Sequence, residues 1–268
     1  MKLNIINTAS SPIFYSEQPI MDSSELAAQL QNFVEKPFSY RKQFLQKYFG
    51  FAFDGYSYYG QENSSNQASS DMLHSFVFSD FYDIERYPDE FQSIIKLQWP
   101  LMKQQVKAFE HAILTQLKLT DVLTQYQQSF GHMMSANFYP AINDLKQYGE
   151  DNTRLSEHPD VSLITVFPFG FDKDFQYQDL NGDWHSLPAT NKCVAFLGHL
   201  TEWFTKGEYK ALNHRVQLSS NRNLARTSFA LFSLPFPKTQ ISRFANESNS
   251  REVITSEQYF QQYLSIWD

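Results

Sequence analysis

The tripeptide His158-Pro159-Asp160 and the apolar run behind it, Val161 to Phe167, constrain this chain more than any other stretch. A histidine and a carboxylate two positions apart leave the same face of an extended segment, so both can reach one ion. A metal held in this way wants a third ligand from elsewhere. His214, far downstream and opening an apolar–polar alternation, is the natural candidate. Two imidazoles and one carboxylate with the other positions open suit a non-haem Fe(II) site. Most His-x-Asp pairs are surface or capping residues, so the tripeptide carries weight only through the company it keeps.

That company is the stretch Gly207 to Val216, which contains His214, the triplet Arg226-Thr227-Ser228, and the strand-like run Met133 to Pro140, which contains Asn137 and Tyr139. In order and spacing these resemble the isopenicillin N synthase-like branch of the 2-oxoglutarate- and Fe(II)-dependent oxygenases, well over residues 130–237 and more loosely before. The resemblance implies a fold that is mainly β with flanking helices, a distorted double-stranded β-helix or jelly roll of about eight core strands. It implies His158, Asp160 and His214 as the metal ligands and catalytic centre. Arg226 and Ser228 would grip the distal carboxylate of 2-oxoglutarate, with Asn137 and Tyr139 as further donors. An arginine fork offers two parallel charge-assisted bonds to a carboxylate, which lysine cannot match. Fe(II), 2-oxoglutarate and O2 would be the cofactors, and succinate and CO2 the co-products of hydroxylating, desaturating or cyclising a small molecule. Two alternatives stay open. Isopenicillin N synthase itself uses no 2-oxoglutarate and binds its substrate's carboxylate with the Arg-x-Ser pair, and a jelly roll can also serve as a non-catalytic binding module.

Charge and composition narrow the partners. A net charge of −7 without a long basic run argues against a general nucleic-acid or anionic-membrane surface and leaves a small-molecule partner. The single cysteine, Cys193, excludes an internal disulfide framework, fits a reducing compartment and belongs to an apolar strand where its thiol is expected to be buried. Met1 to Thr8 is too short and polar for a signal region, and no run approaches the roughly 18 apolar residues of a membrane span. The expectation is a soluble, cytoplasmic protein.

The remaining pattern describes one domain over 1–268, with a mostly helical framework over 1–129, the core over 130–237 and a C-terminal extension and helix over 238–268. Leu26, Leu30, Phe33 and Val34 mark one helix face that Pro37 ends. Tyr40 to Phe49 reads as a second helix, and Gly50 to Gly60 as an irregular aromatic turn followed by a polar loop, 61–70. Pro100 suits the first turn of a long helix carrying Met102, Val106, Phe109, Ile113 and Leu117, with His111 on its surface. A short helix over Asp121 to Phe130 leads into the core. Phe175 to Leu187 reads as a hairpin turning at Asn181-Gly182, with Asp172, Asp174, Asp179 and Asp183 as its solvating charges. His185 and His199 compete with His214 as third ligand and read as structural. Phe167, Phe169, Tyr177 and Phe232 are candidates to line the substrate space. His158 is expected at one rim, with His214 on a late strand opposite.

Overall fold

Segments that alternate polar and apolar residues must pair to satisfy their backbone groups and must bury one face. The computed structural model describes residues 3–6, 11–17, 20–49, 52–61, 71–142, 153–172, 174–218, 223–244 and 251–265. Its main sheet has nine strands in the order β1 (Asn4–Ile6), β2 (Ile13–Tyr15), β11 (Val194–Leu197), β8 (Ile164–Phe167), β13 (Arg226–Pro235), β6 (Phe130–Tyr139), β5 (His74–Ser79), β4 (Ala52–Ser57) and β3 (Lys47–Phe49). A second sheet orders β10 (Trp184–Ser186), β9 (Phe175–Gln178), β12 (His214–Gln217) and β7 (Thr153–His158). A small ladder pairs β14 (Gln240–Phe244) with β15 (Arg251–Thr255). Neighbouring strands in the two larger sheets run antiparallel, and six of the eleven neighbouring pairs join strands that are not consecutive in the chain, as the crossovers of a jelly roll require.

The period of two on β13 and β6 sorts side chains between two cores. Phe229 and Leu231 of β13 and Met134 and Ala136 of β6 face the helices, within the larger apolar cluster. Residues between them face the second sheet, where Phe167, Phe175, Phe196 and Leu212 form a smaller cluster. Helix α1 (Ser24–Glu35) covers the outer face with Leu26, Leu30 and Phe33 and stops before Pro37. Short α2 (Phe38–Arg41) and α3 (Asp89–Ser93) lead to α4 (Trp99–Gln116), which buries Met102, Val106, Phe109 and Ile113 on one stripe. Glu110 lies fully buried on the same stripe. It is tolerated because His132 Nε2 approaches Oε2 at 2.8 Å and the Tyr126 hydroxyl donates to the same oxygen. Helix α5 (Thr120–Ser129) feeds directly into β6, and α6 (His199–Thr205) and α7 (Ser256–Leu264) complete the described set. Among the described residues no helix is long and apolar enough to cross a membrane.

Two expectations change. Tyr40 to Phe49 is not a helix: α2 passes into a 3₁₀ turn over Lys42–Phe44 and then into β3. The reason is tertiary, since Lys47 to Phe49 pair with Ala52 to Asp54 at the sheet's edge and that ladder outweighs a weak local helical pattern. The aromatic stretch after residue 50 is accordingly the strand β4 rather than an irregular turn. Most of the polar loop expected at 61–70 lies outside the described residues. The hairpin of β9 and β10 forms as expected, with Gly182 at φ +88° supplying the left-handed turn position.

Candidate metal centre and carboxylate pocket

His158 ends β7 and His214 begins β12, and the two are direct cross-strand partners. The late strand expected opposite His158 is its immediate neighbour: adjacency in one sheet, not convergence across the barrel, brings the rings to 4.6 Å between centroids. Asp160 follows β7 by two residues, in the turn that leads to β8. His158 Nε2 lies 3.5 Å from Asp160 Oδ1, and His214 Nε2 lies 3.8 Å from Asp160 Oδ2. All three ligand atoms fall within 4.8 Å of one another.

Each imidazole is held in the form that ligates. His158 Nδ1 donates to the Ser156 carbonyl at 2.7 Å, and His214 Nδ1 donates to the Leu212 carbonyl at 3.1 Å. With Nδ1 engaged by a backbone carbonyl, each Nε2 is turned toward the carboxylate. Burial drives the His214 pKa down to about 4 against the pull of Asp160, so that ring is neutral at physiological pH. For His158, burial opposes protonation, but the hydrogen bond and charge of Asp160 outweigh it and the net direction is up. Burial works against ionisation of Asp160 too, yet the charge of His214 and the bond to His158 leave its carboxyl below the usual range.

A residue that sequence reasoning missed orients the carboxylate. Thr165 on β8 donates through Oγ1 to Asp160 Oδ2 at 2.6 Å, and Ser162 Oγ lies 2.8 Å from the same hydroxyl. The His199 N–H donates to the Asp160 carbonyl at 2.7 Å. Gly198 permits that approach, since a Cβ there would lie 2.2 Å from the Ser162 carbonyl oxygen. The only sequence signal was a buried-strand threonine within reach of an acid, which is too common to single out. The competing histidines are occupied: His185 Nε2 pairs with Asp179 at 2.9 Å, and His199 Nδ1 meets the Tyr259 hydroxyl at 3.1 Å.

The remaining four candidates form two rungs of one ladder. Arg226 is the register partner of Tyr139, and Ser228 of Asn137. The same inward face continues as Ala230 opposite Ser135 and Phe232 opposite Met133. These side chains and the three metal-type ligands line one cavity of about 460 Å³, whose other walls include Val77, Leu155, Phe175 and Leu264. That volume suits a small ligand. Arg226 lies over the Tyr139 ring at 4.5 Å. Its Nη1 and the Tyr139 hydroxyl are buried without hydrogen-bond partners. Burial pushes the Tyr139 phenol up to about 12, so it remains a donor. A paired cation with a donor to spare and a neutral phenol beside it fit a carboxylate.

Of the four aromatic residues expected in the substrate space, Phe167 and Phe232 line the cavity. Phe169 instead packs edge-on against Phe229, and Tyr177 lies against His185 outside the walls. The turn at Gly170 carries Phe169 away to the helix-facing cluster, and the partly exposed hairpin keeps Tyr177.

Residues 130–235 match the model of the 2OG-Fe(II) oxygenase superfamily. Over that span the chain is similar to the core of a 2OG-Fe(II) oxygenase. The matched span runs from the first residue of β6 to the last of β13 and contains all seven candidate site residues. Gibberellin 2-beta-dioxygenase 1 of Pisum sativum is 28% identical over 85 residues, 31% of this chain and 26% of that enzyme, so the match spans about a quarter of the curated relative. A Neurospora crassa protein, solved in complex with alpha-KG and thymine, superposes with a TM-score of 0.69 at 21% identity, covering 90% of this chain and 82% of that one. JOX2, solved with 2OG, Fe and JA, gives a TM-score of 0.71 at 17% identity, covering 95% and 77%. At such identities the likeness is one of fold.

Proposed function

We propose that this chain is an Fe(II)- and 2-oxoglutarate-dependent oxygenase of a small-molecule substrate. His158, Asp160 and His214 would hold the iron. Arg226 and Ser228, with Asn137 and Tyr139, would seat the keto acid. The observation that carries this reading is one cavity in which two imidazoles turn their Nε2 atoms to one carboxylate at one part of the wall while a buried arginine with an unpartnered N–H stands at another. The donor set suits Fe(II), and the arginine fork suits a dicarboxylate whose other end reaches the metal. With both bound, the chemistry supplied is oxidative decarboxylation of 2-oxoglutarate to succinate and CO2, coupled to oxidation of the substrate by O2.

The chain's own contribution is orientation and dryness. The Nδ1 bonds to Ser156 and Leu212 fix both rings, and Thr165 fixes the carboxylate. Phe175 stacks on His214 at 5.3 Å between centroids, Phe196 packs at a tilt against it at 4.9 Å, and the two keep water from its far side. Val77, Met133, Leu155, Phe232 and Leu264 leave mostly apolar wall for the substrate, with Gln46, Gln61 and Ser75 as polar points. The finer placement, in the isopenicillin N synthase-like branch, is supported by the order of the His-x-Asp, His and Arg-x-Ser motifs. A cytoplasmic setting and no nucleic-acid partner are supported by the buried free thiol of Cys193 and the net charge of −7.

The test is anaerobic Fe(II) titration of wild type and His214→Ala, followed by assay of succinate release with O2. Wild type should bind one iron and the variant none, and wild type should make succinate. Equal iron binding in the two would refute the ligand assignment. Substrate oxidation without succinate would instead point to the cosubstrate-free cyclase use of Arg226.

A further inference from the structure

Asp172 stands on a turn with little freedom. Gly170 turns the chain at φ +77°, where a Cβ would lie 1.9 Å from the Thr190 carbonyl oxygen, so a side chain has no room. Phe171, next along, exchanges both backbone hydrogen bonds with Thr190 and stacks on Phe175 at 4.8 Å between centroids. The Asp172 carboxylate is then tied to its own loop, because Oδ1 accepts the Asp174 N–H at 3.1 Å. Its second oxygen, Oδ2, lies 2.5 Å from Arg226 Nε, a charge contact without hydrogen-bond alignment. One face of the guanidinium is taken by the Tyr139 ring. The Nε side therefore meets a protein carboxylate, while buried Nη1 keeps no partner. Asp172 is not a solvating charge of the hairpin, as the sequence pattern suggested.

We propose that Asp172 is a positioning residue for the cosubstrate: its carboxylate holds Arg226 from the Nε side, so that the Nη end stays set for the distal carboxylate of 2-oxoglutarate. This rests on the assignment of Arg226 made above. The opposite role, a stand-in carboxylate that the keto acid has to displace, needs a side chain free to swing away. The turn at Gly170, the Thr190 pairing and the bond from Asp174 deny it that freedom. Direct Coulomb attraction contributes little, because the Asp172 side chain is 40% exposed and screened. What Asp172 supplies is order. A free arginine samples many rotamers, and restricting them before binding is worth about tenfold in affinity.

The test is calorimetric titration of 2-oxoglutarate into Mn(II)-loaded protein, together with steady-state kinetics. Asp172→Asn should weaken 2-oxoglutarate binding about tenfold and raise its KM with kcat unchanged. Mn(II) affinity and melting temperature should match wild type, which shows that the variant folds. Asp172→Glu should recover part of the loss. Asp179→Asn, which removes an equal charge from the neighbouring hairpin, should leave 2-oxoglutarate binding alone. Unchanged or tighter binding in Asp172→Asn would overturn the proposal, and so would an equal loss in Asp179→Asn. Wild type that binds Mn(II) but no 2-oxoglutarate would remove the Arg226 assignment itself, a failure visible before any variant is made.

Discussion

Thr165→Val separates the orientation of the metal ligands from their identity. Valine replaces the hydroxyl by a methyl of nearly the same size, so no cavity opens and the effect is polar. The hydroxyl is fully buried and donates to Asp160 Oδ2 at 2.6 Å, with Asp160 itself 5% exposed. A hydrogen bond to a buried charged acceptor is worth roughly 1.5–3 kcal/mol. The change also deprives buried Ser162 Oγ of the partner it holds at 2.8 Å. Loss of a partner that orients a ligating carboxylate lowers metal affinity by about 10- to 100-fold, roughly 1.4–2.7 kcal/mol. Anaerobic titration with Fe(II) or Mn(II) measures this directly, with far-UV circular dichroism confirming an intact fold. A folded variant whose metal affinity stays within about twofold of wild type would show that Asp160 is oriented without Thr165, and the account of the site's rigidity would fall with it.

Other perturbations reach different parts of the structure. Arg226→Ala should raise the apparent requirement for 2-oxoglutarate by one to two orders of magnitude or abolish turnover, given roughly 1.5–3 kcal/mol per charge-assisted bond; an unchanged requirement in a saturation curve would count against the carboxylate seat. Gly198→Ala should lower stability by about 1–3 kcal/mol, because the added Cβ meets the Ser162 carbonyl oxygen at 2.2 Å and that oxygen, being backbone, cannot swing aside; a thermal melt equal to wild type would disprove it. Asp54 gives a pH test. Burial raises its carboxyl from 3.8 to about 6, against the bonds from Ser79 and Tyr87. The folded pKa lies above the unfolded one, so the protonated form is favoured in the fold. The Asp54 contribution to stability is therefore fully present below about pH 4 and is lost as pH rises through about 6, by up to about 3 kcal/mol. Asp54→Asn cannot titrate, so urea unfolding should show the variant gaining on wild type across that window. A difference that is flat with pH would refute the assignment.

The chain's pattern by itself determined much of this protein. Alternation along Phe130 to Tyr139 and Arg226 to Pro235 sets which side chains face inward, because a strand's period of two admits no other choice once one face is buried. It therefore placed Asn137 with Tyr139 on one face of its strand and Arg226 with Ser228 on one face of theirs, while the pairing of β6 with β13 joined the two faces. The three-and-four spacing of Met102, Val106, Phe109 and Ile113 likewise fixed the buried stripe of α4.

Tertiary structure decided the rest, wherever an interaction joins residues that local pattern cannot relate. That His158 and His214 are cross-strand neighbours depends on how β7 and β12 pair, and no spacing in the chain encodes which strands meet. Lys47 to Phe49 became a strand because β4 lay beside it. Thr165 and Asp172 acquired roles only when folding carried one hydroxyl to Asp160 and one carboxylate to Arg226. The physical reason is common to all of these. Period and propensity act over a few residues, whereas the bonds that orient a buried charge are made between segments brought together by the collapse of the core.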